Sequence, residues 1–177
     1  MRCCFVVALA IALTFSACRP RHANVSVSDQ AELLAEERGR LLELTDPVER
    51  TRSYITVSGI LLDFAASFAH DGNTDGMKAL LSQYDTAIQE AADSLIKSER
   101  DAEQNPEGFK DLEVALRLQI RLLNRLNRKI ASRERQPVQT ALRIASLARE
   151  QMLNRLSSKS RPTAAATDVP PKCVQPY

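Results

Sequence analysis

Tryptophan is absent from this 177-residue chain, and five phenylalanines and three tyrosines bring the aromatic share to only 5%. Any core must therefore be aliphatic, and base stacking on interleaved aromatic rings, the usual device of single-strand nucleic-acid binding, is not on offer. Histidine occurs only as His22 and His70. That excludes the Glu-x-x-His pairs of di-iron bundles and the His-Glu-x-x-His zinc motif. Five glycines, none clustered, supply neither a phosphate-cradling loop nor a nucleophile elbow. Period-two alternation of apolar and polar residues is missing at any useful length, which argues against strands. What remains is a chain dominated by Ala, Leu, Glu and Arg, all favourable in helices.

The four cysteines are Cys3, Cys4, Cys18 and Cys173. The start, "MRCCFVVALAIALTFSAC", has one basic residue, an apolar run from Phe5 to Phe15, and small residues before Cys18. This is the layout of an export signal, with a run shorter than the roughly 20 residues that span a bilayer. Its end, "FSAC", resembles the lipobox of bacterial lipoproteins. Ser16, Ala17 and Cys18 stand where two small residues and the lipidated cysteine are expected, while Phe15 takes the position usually held by Leu. The resemblance covers the first eighteen residues and implies cleavage behind Ala17, diacylation of Cys18, and a membrane anchor facing the periplasm. Two acyl chains would make that anchor stable. Ordinary signal cleavage would instead leave a soluble exported protein, in which a retained Cys18 could pair with Cys173 in an oxidising compartment.

Segment boundaries follow from composition: a signal over 1–17, a polar linker over 18–27, a helical domain over 28–156, and a tail over 157–177. Four prolines and few bulky apolar residues suit a disordered tail. Within the domain, Ser28 can cap a first helix through about Leu44, with Leu34, Leu41 and Leu44 inward. "TDPVE" starts a second, since Asp46 can accept an amide hydrogen bond, Pro47 suits the first helical position and Glu49 follows the cap. From Tyr54 to Ala69 this helix is apolar over most of its circumference, which places it centrally. A third, Thr74 to about Ala102, carries Met77, Leu81, Tyr84, Ile88, Ala91 and Leu95 on one face and Asp85, Glu90, Asp93 and Glu99 outside. Gln104 or Asn105 can cap a fourth, to about Glu134, and Pro137 marks a fifth or a kink. No 34-residue period recurs. The expected architecture is an all-α up-and-down bundle of four to five helices, antiparallel through short connections.

Charge is unevenly placed. Residues 19–104 hold nine Lys/Arg against sixteen Asp/Glu, and residues 105–177 fourteen against six. The sharpest feature is Arg117, Arg121, Arg125 and Arg128, whose spacing of four, four and three makes one ridge on the fourth helix. Three readings suit it: a solvated face partly paired within the bundle, a surface for anionic lipid or an acidic polymer, or nucleic-acid contact, which export disfavours. Asp63, alone in the most apolar helix, is a candidate partner for one of these arginines, or sits on a polar strip with Arg52, Thr56 and Ser67.

One stretch, "HDGNTDGM", opens like an EF-hand loop, with Asp71, Asn73, Asp75 and Gly76 in the first, third, fifth and sixth places. The twelfth place, which needs a bidentate glutamate, falls on Ser82, and Lys78 brings a cation into the loop. Gly72 as a helix terminator and Asn73 or Thr74 as the next cap account for the same residues as a turn. Asp71, Asn73 and Asp75 thus remain a weak calcium candidate, and no cofactor is implied. With no catalytic constellation, the expected protein is an exported, envelope-anchored helical interaction or scaffold protein with a protein partner and no enzymatic role. The alternative is a binding module for anionic lipid or acidic polymer using the arginine ridge.

Overall fold

The computed structural model describes residues 27–157, and among them it contains five α-helices and no strand. They are α1 (Val27–Glu43), α2 (Pro47–His70), α3 (Thr74–Ile96), α4 (Glu107–Lys129) and α5 (Arg135–Leu156), with a 3₁₀ turn at Ser132–Glu134 before α5. The chain is an all-α bundle, as its periodicity implies. The signal, Cys18, the linker to residue 26 and the tail beyond Ser157 lie outside the described residues.

Helix starts obey local chemistry where a side chain can reach the first-turn amides. The Asp46 carboxylate accepts from the N–H groups of Val48 and Glu49, both at 3.0 Å, with Pro47 in the first helical position. Arg50, one turn on, donates to the carbonyls of Leu41 and Leu44 and so satisfies the frayed end of α1. Between α2 and α3, Gly72 adopts φ +73° and Asn73 Oδ1 accepts from the Gly76 amide at 2.9 Å.

The next junction departs from expectation. α3 stops at Ile96 rather than near Ala102, and Glu99 takes a left-handed φ of +54°. Pro106, not Gln104 or Asn105, precedes α4, without a side-chain cap. Asp101 organises the link, its carboxylate accepting from Glu103 N–H and its carbonyl from Asn105 N–H. Likewise α4 ends at Lys129 instead of Glu134, because Ile130 is extended and buried. Pro137 then lies in the first turn of a separate α5.

Four helices form the bundle proper, in the cyclic order α2, α3, α5, α4, while α1 packs on α2. Successive helices are antiparallel. Yet α3 and α4 barely touch, because residues 97–106 carry the chain diagonally across one end. Consequently α2 and α4 are parallel neighbours, as their paired residues show: Arg52 with Asp111, and Ser58 with Gln119. By the same logic α3 runs parallel to α5. At the end where α2, α3 and α4 converge, a Cβ on Gly108 would meet Leu95 Cδ2 at 2.8 Å and Val48 Cγ2 at 3.2 Å. Glycine there permits the close approach.

The core is aliphatic apart from Tyr84 and Phe109, with Leu61, Leu81, Ile88, Leu112, Leu116, Leu123 and Met152 among its fully buried members. A polar relay crosses it. The Tyr84 hydroxyl donates to Gln119 Oε1 at 3.1 Å, Gln119 Nε2 donates to Ser58 Oγ at 2.8 Å, and Ser58 donates to the Ile55 carbonyl. Every member has a partner, so the relay ties α2, α3 and α4 in one register without an orphaned buried group.

Candidate functional site

The outer side of α4 gathers most of the unusual surface. Arg117, Arg121, Arg125 and Arg128 are all exposed and form the continuous ridge expected from their spacing. Their partners differ. Arg117 is tied to the Glu113 carboxylate one turn earlier, and Arg149 of α5 reaches the same carboxylate at 2.8 Å. Glu113 is only 5% exposed. The Arg117 hydrogen bond, reinforced by Arg149, holds its carboxyl below the usual range against the opposing effect of desolvation. Arg121, Arg125 and Arg128 make no ion pair among the described residues. Among the described residues the ridge therefore does not pair with acids of α2 and α3, and Arg117 uses an acid of its own helix.

Beside the ridge, on the flank facing α2, runs an apolar stripe. Val114, Leu118 and Leu122, spaced by four, are 49%, 54% and 40% exposed. They are large aliphatic side chains left in solvent by a helix whose other face is fully packed, and such a contiguous patch is unusual where single exposed leucines are not. The α2 side of this seam carries Arg52 and Ile55 opposite Val114 and Leu118, and small or polar residues beyond them. A Cβ on Gly59 would meet nothing within 4 Å, and Thr56, Asp63 and Ala66 are exposed.

Toward the C-terminal ends of α2 and α4 the seam widens into a cleft of about 540 Å³. Leu62, Leu122, Leu126 and Ile130 form its apolar part, and Asp63, Arg125 and Lys129 bring charge to it. Asp63 pairs with none of the arginines among the described residues and lies on the polar strip with Arg52, Thr56 and Ser67. Partial burial pushes its carboxyl above the ordinary carboxylate range.

The "HDGNTDGM" turn is held by its backbone at Asp71 and by the Asn73 side chain. Asp71 is the C-cap of α2, Asn73 caps α3, and Asp75 pairs with Lys78 at 3.3 Å. Among the described residues no three His, Cys, Asp or Glu side chains are grouped so as to hold a metal ion. Also among them, no helix is long and apolar enough to cross a membrane.

Sequence reasoning missed three side chains. The sequence pattern singles out neither Glu113 nor Gln119, yet both are buried; the i, i+4 spacing of Glu113 to Arg117 was the available signal for the first. Asp85 was expected on the outer face of α3 yet is half-buried, one oxygen lacking a hydrogen-bond partner. Desolvation raises its carboxyl to about 6 although the charge of Arg143 on α5 opposes this. Nothing in the local pattern marked it, because it stands at the edge of a stripe.

Comparison with protein-family models, with curated proteins and with solved structures returns no match.

Proposed function

We propose that this chain is an exported, lipid-anchored helical interaction or scaffold protein of the bacterial cell envelope, without catalytic activity, and that it meets a protein partner through the outer face of α4. The observation that carries this reading is the adjacency of Val114, Leu118 and Leu122 to three arginines that have no ion pair among the described residues. Exposed aliphatic side chains rimmed by arginine match the composition of protein interfaces, where arginine is enriched and an apolar centre is ringed by polar groups. The lipobox-like "FSAC" supports the anchor, and intact-mass measurement of the mature chain tests it: a diacylated Cys18 is expected at its first position.

A photo-crosslinking amino acid placed at Leu118 in living cells tests the face. An adduct is expected there and not at Glu90, an exposed position on α3, and Arg121→Glu with Arg128→Glu should abolish it. Failure to trap any partner at Leu118 or Val114 would remove the reading.

A second reading is favoured by the lack of any ion pair at Arg121, Arg125 and Arg128 among the described residues: a module that binds anionic lipid or an acidic polymer. Each basic side chain close to an anionic membrane can contribute roughly 1 kcal/mol. Vesicle binding that ignores anionic lipid content and salt, or survives replacement of Arg117, Arg121, Arg125 and Arg128, eliminates it.

A further inference from the structure

Within the seam between α2 and α4, the cleft at the C-terminal end differs in kind from the exposed stripe. Its volume of about 540 Å³ falls in the roughly 300–1,000 Å³ range of small-molecule sites. Room exists because small residues stand where larger ones would fill it: Ala66 and Ala69 on α2, and Ala131 just past α4. Its floor is aliphatic, with Leu62, Leu126 and Ile130 all buried in the bundle and Leu122 completing one wall. Two cations one helical turn apart, Arg125 and Lys129, reach the same space, and neither has an acidic partner among the described residues.

We propose that this cleft binds one medium-chain aliphatic carboxylate, with the headgroup held by Arg125 and Lys129 and the chain lying over Ala66 against Leu62, Leu122 and Leu126. A guanidinium offers a carboxylate two parallel hydrogen bonds, and the lysine adds a point charge. A singly charged headgroup fits better than a phosphate because Asp63 and Glu134 face the same space and offset part of the positive potential. Glu134 is itself engaged by Arg133 at 3.5 Å. Asp63 carries no such partner among the described residues and is partly desolvated, so it is the group that sets how much negative charge the cleft accepts.

The cleft shares Leu122 and Arg125 with the partner-docking face, but its recognition rests also on Lys129 and on the floor of Leu62, Leu126 and Ile130, none of which belongs to that face. Calorimetric titration of the isolated protein with dodecanoate below its micelle concentration provides the test, with dodecyl phosphate and dodecyltrimethylammonium as matched probes. One-site binding of dodecanoate, tighter than either comparison probe, is expected. Replacing Arg125 and Lys129 together by glutamine should weaken it by about tenfold or more, the scale of a lost charge-assisted hydrogen bond. Ala66→Phe should abolish it with an unchanged melting temperature, because Ala66 is exposed, and Asp63→Asn should tighten it. The proposal is overturned if dodecanoate gives no binding heat, if the ammonium probe binds as well, or if binding survives Ala66→Phe. It is equally overturned if Arg117→Gln with Arg121→Gln, on the ridge but outside the cleft, weakens binding as much as the cleft pair does.

Discussion

Helix α2 borders two bundle neighbours, and its two seams are built differently. Toward α3 the packing is dense, with Leu61 and Ala65 of α2 and Met77, Leu81, Tyr84 and Ile88 of α3 all but fully buried, and the Thr51 hydroxyl even reaches across to the Ala91 carbonyl at 3.2 Å. Toward α4 the seam is sealed at one end by Gly108 and in the middle by the Ser58–Gln119 bond, but its outer edge is shallow at Gly59 and opens into a cleft at Ala66. The antiparallel hairpin seam is thus devoted to stability. The parallel seam, made by a diagonal crossing, leaves apolar and basic side chains exposed.

That contrast can be broken from the filled side first. Leu61→Ala, at a position 1% exposed, should cost about 2–5 kcal/mol in urea unfolding through lost burial and an unfilled cavity. Gly108→Val attacks the closed end of the parallel seam. Overpacking against Leu95 and Val48 should cost about 1–3 kcal/mol, and a loss below a few tenths would mean the end is looser than its distances indicate.

Glu113→Gln keeps the shape but removes the charge shared by Arg117 and Arg149; a cost of about 1–2 kcal/mol at neutral pH is expected. Its pH signature has a definite sign. The folded carboxyl titrates below its ordinary value, so its stabilisation is complete above that value and fades as pH falls through the folded one. In strong acid, wild type and Glu113→Gln should converge.

Asp85 behaves in the opposite sense. Its carboxyl is raised to about 6 by desolvation, so the folded state binds the proton more tightly than the unfolded one. Stability should fall as pH rises from about 4 to 6. Asp85→Asn should flatten that slope and stabilise the protein at pH 7, as read from melting temperature across the range. Smallest of all, Ala66→Phe on the open side should change stability by less than about 0.5 kcal/mol, which is the direct counterpart to Leu61→Ala.

Much of the fold was legible residue by residue. Asp46–Pro47 and Gly72–Asn73 mark their helix ends because capping is short-range chemistry, complete within a few residues. The core stripe of α3 and the arginine ridge of α4 follow from helical period alone. Legibility failed at residues 97–106, where Asp101 rather than Gln104 or Asn105 satisfies the link and the ends of α3 and α4 depend on what Ala102 and Ile130 bury against. It failed also at Asp85, Glu113 and Gln119, since a polar residue at a stripe's edge is surface or seam according to which helix lies beside it.

The half calcium loop in "HDGNTDGM" shows the same division in one place: its turn could be read locally, from Gly72 and the cap. Sequence alone determined an all-α domain, the starts of α2 and α3, its two oppositely charged halves and its signal-like beginning, because propensity, capping and composition act over a few residues. Only the tertiary structure decided that α2 and α4 lie parallel, that Glu113 is buried between Arg117 and Arg149, and that Ala66, Leu122 and Arg125 share a cleft. Those are relations between segments dozens of residues apart, set by which packed arrangement buries the most apolar surface.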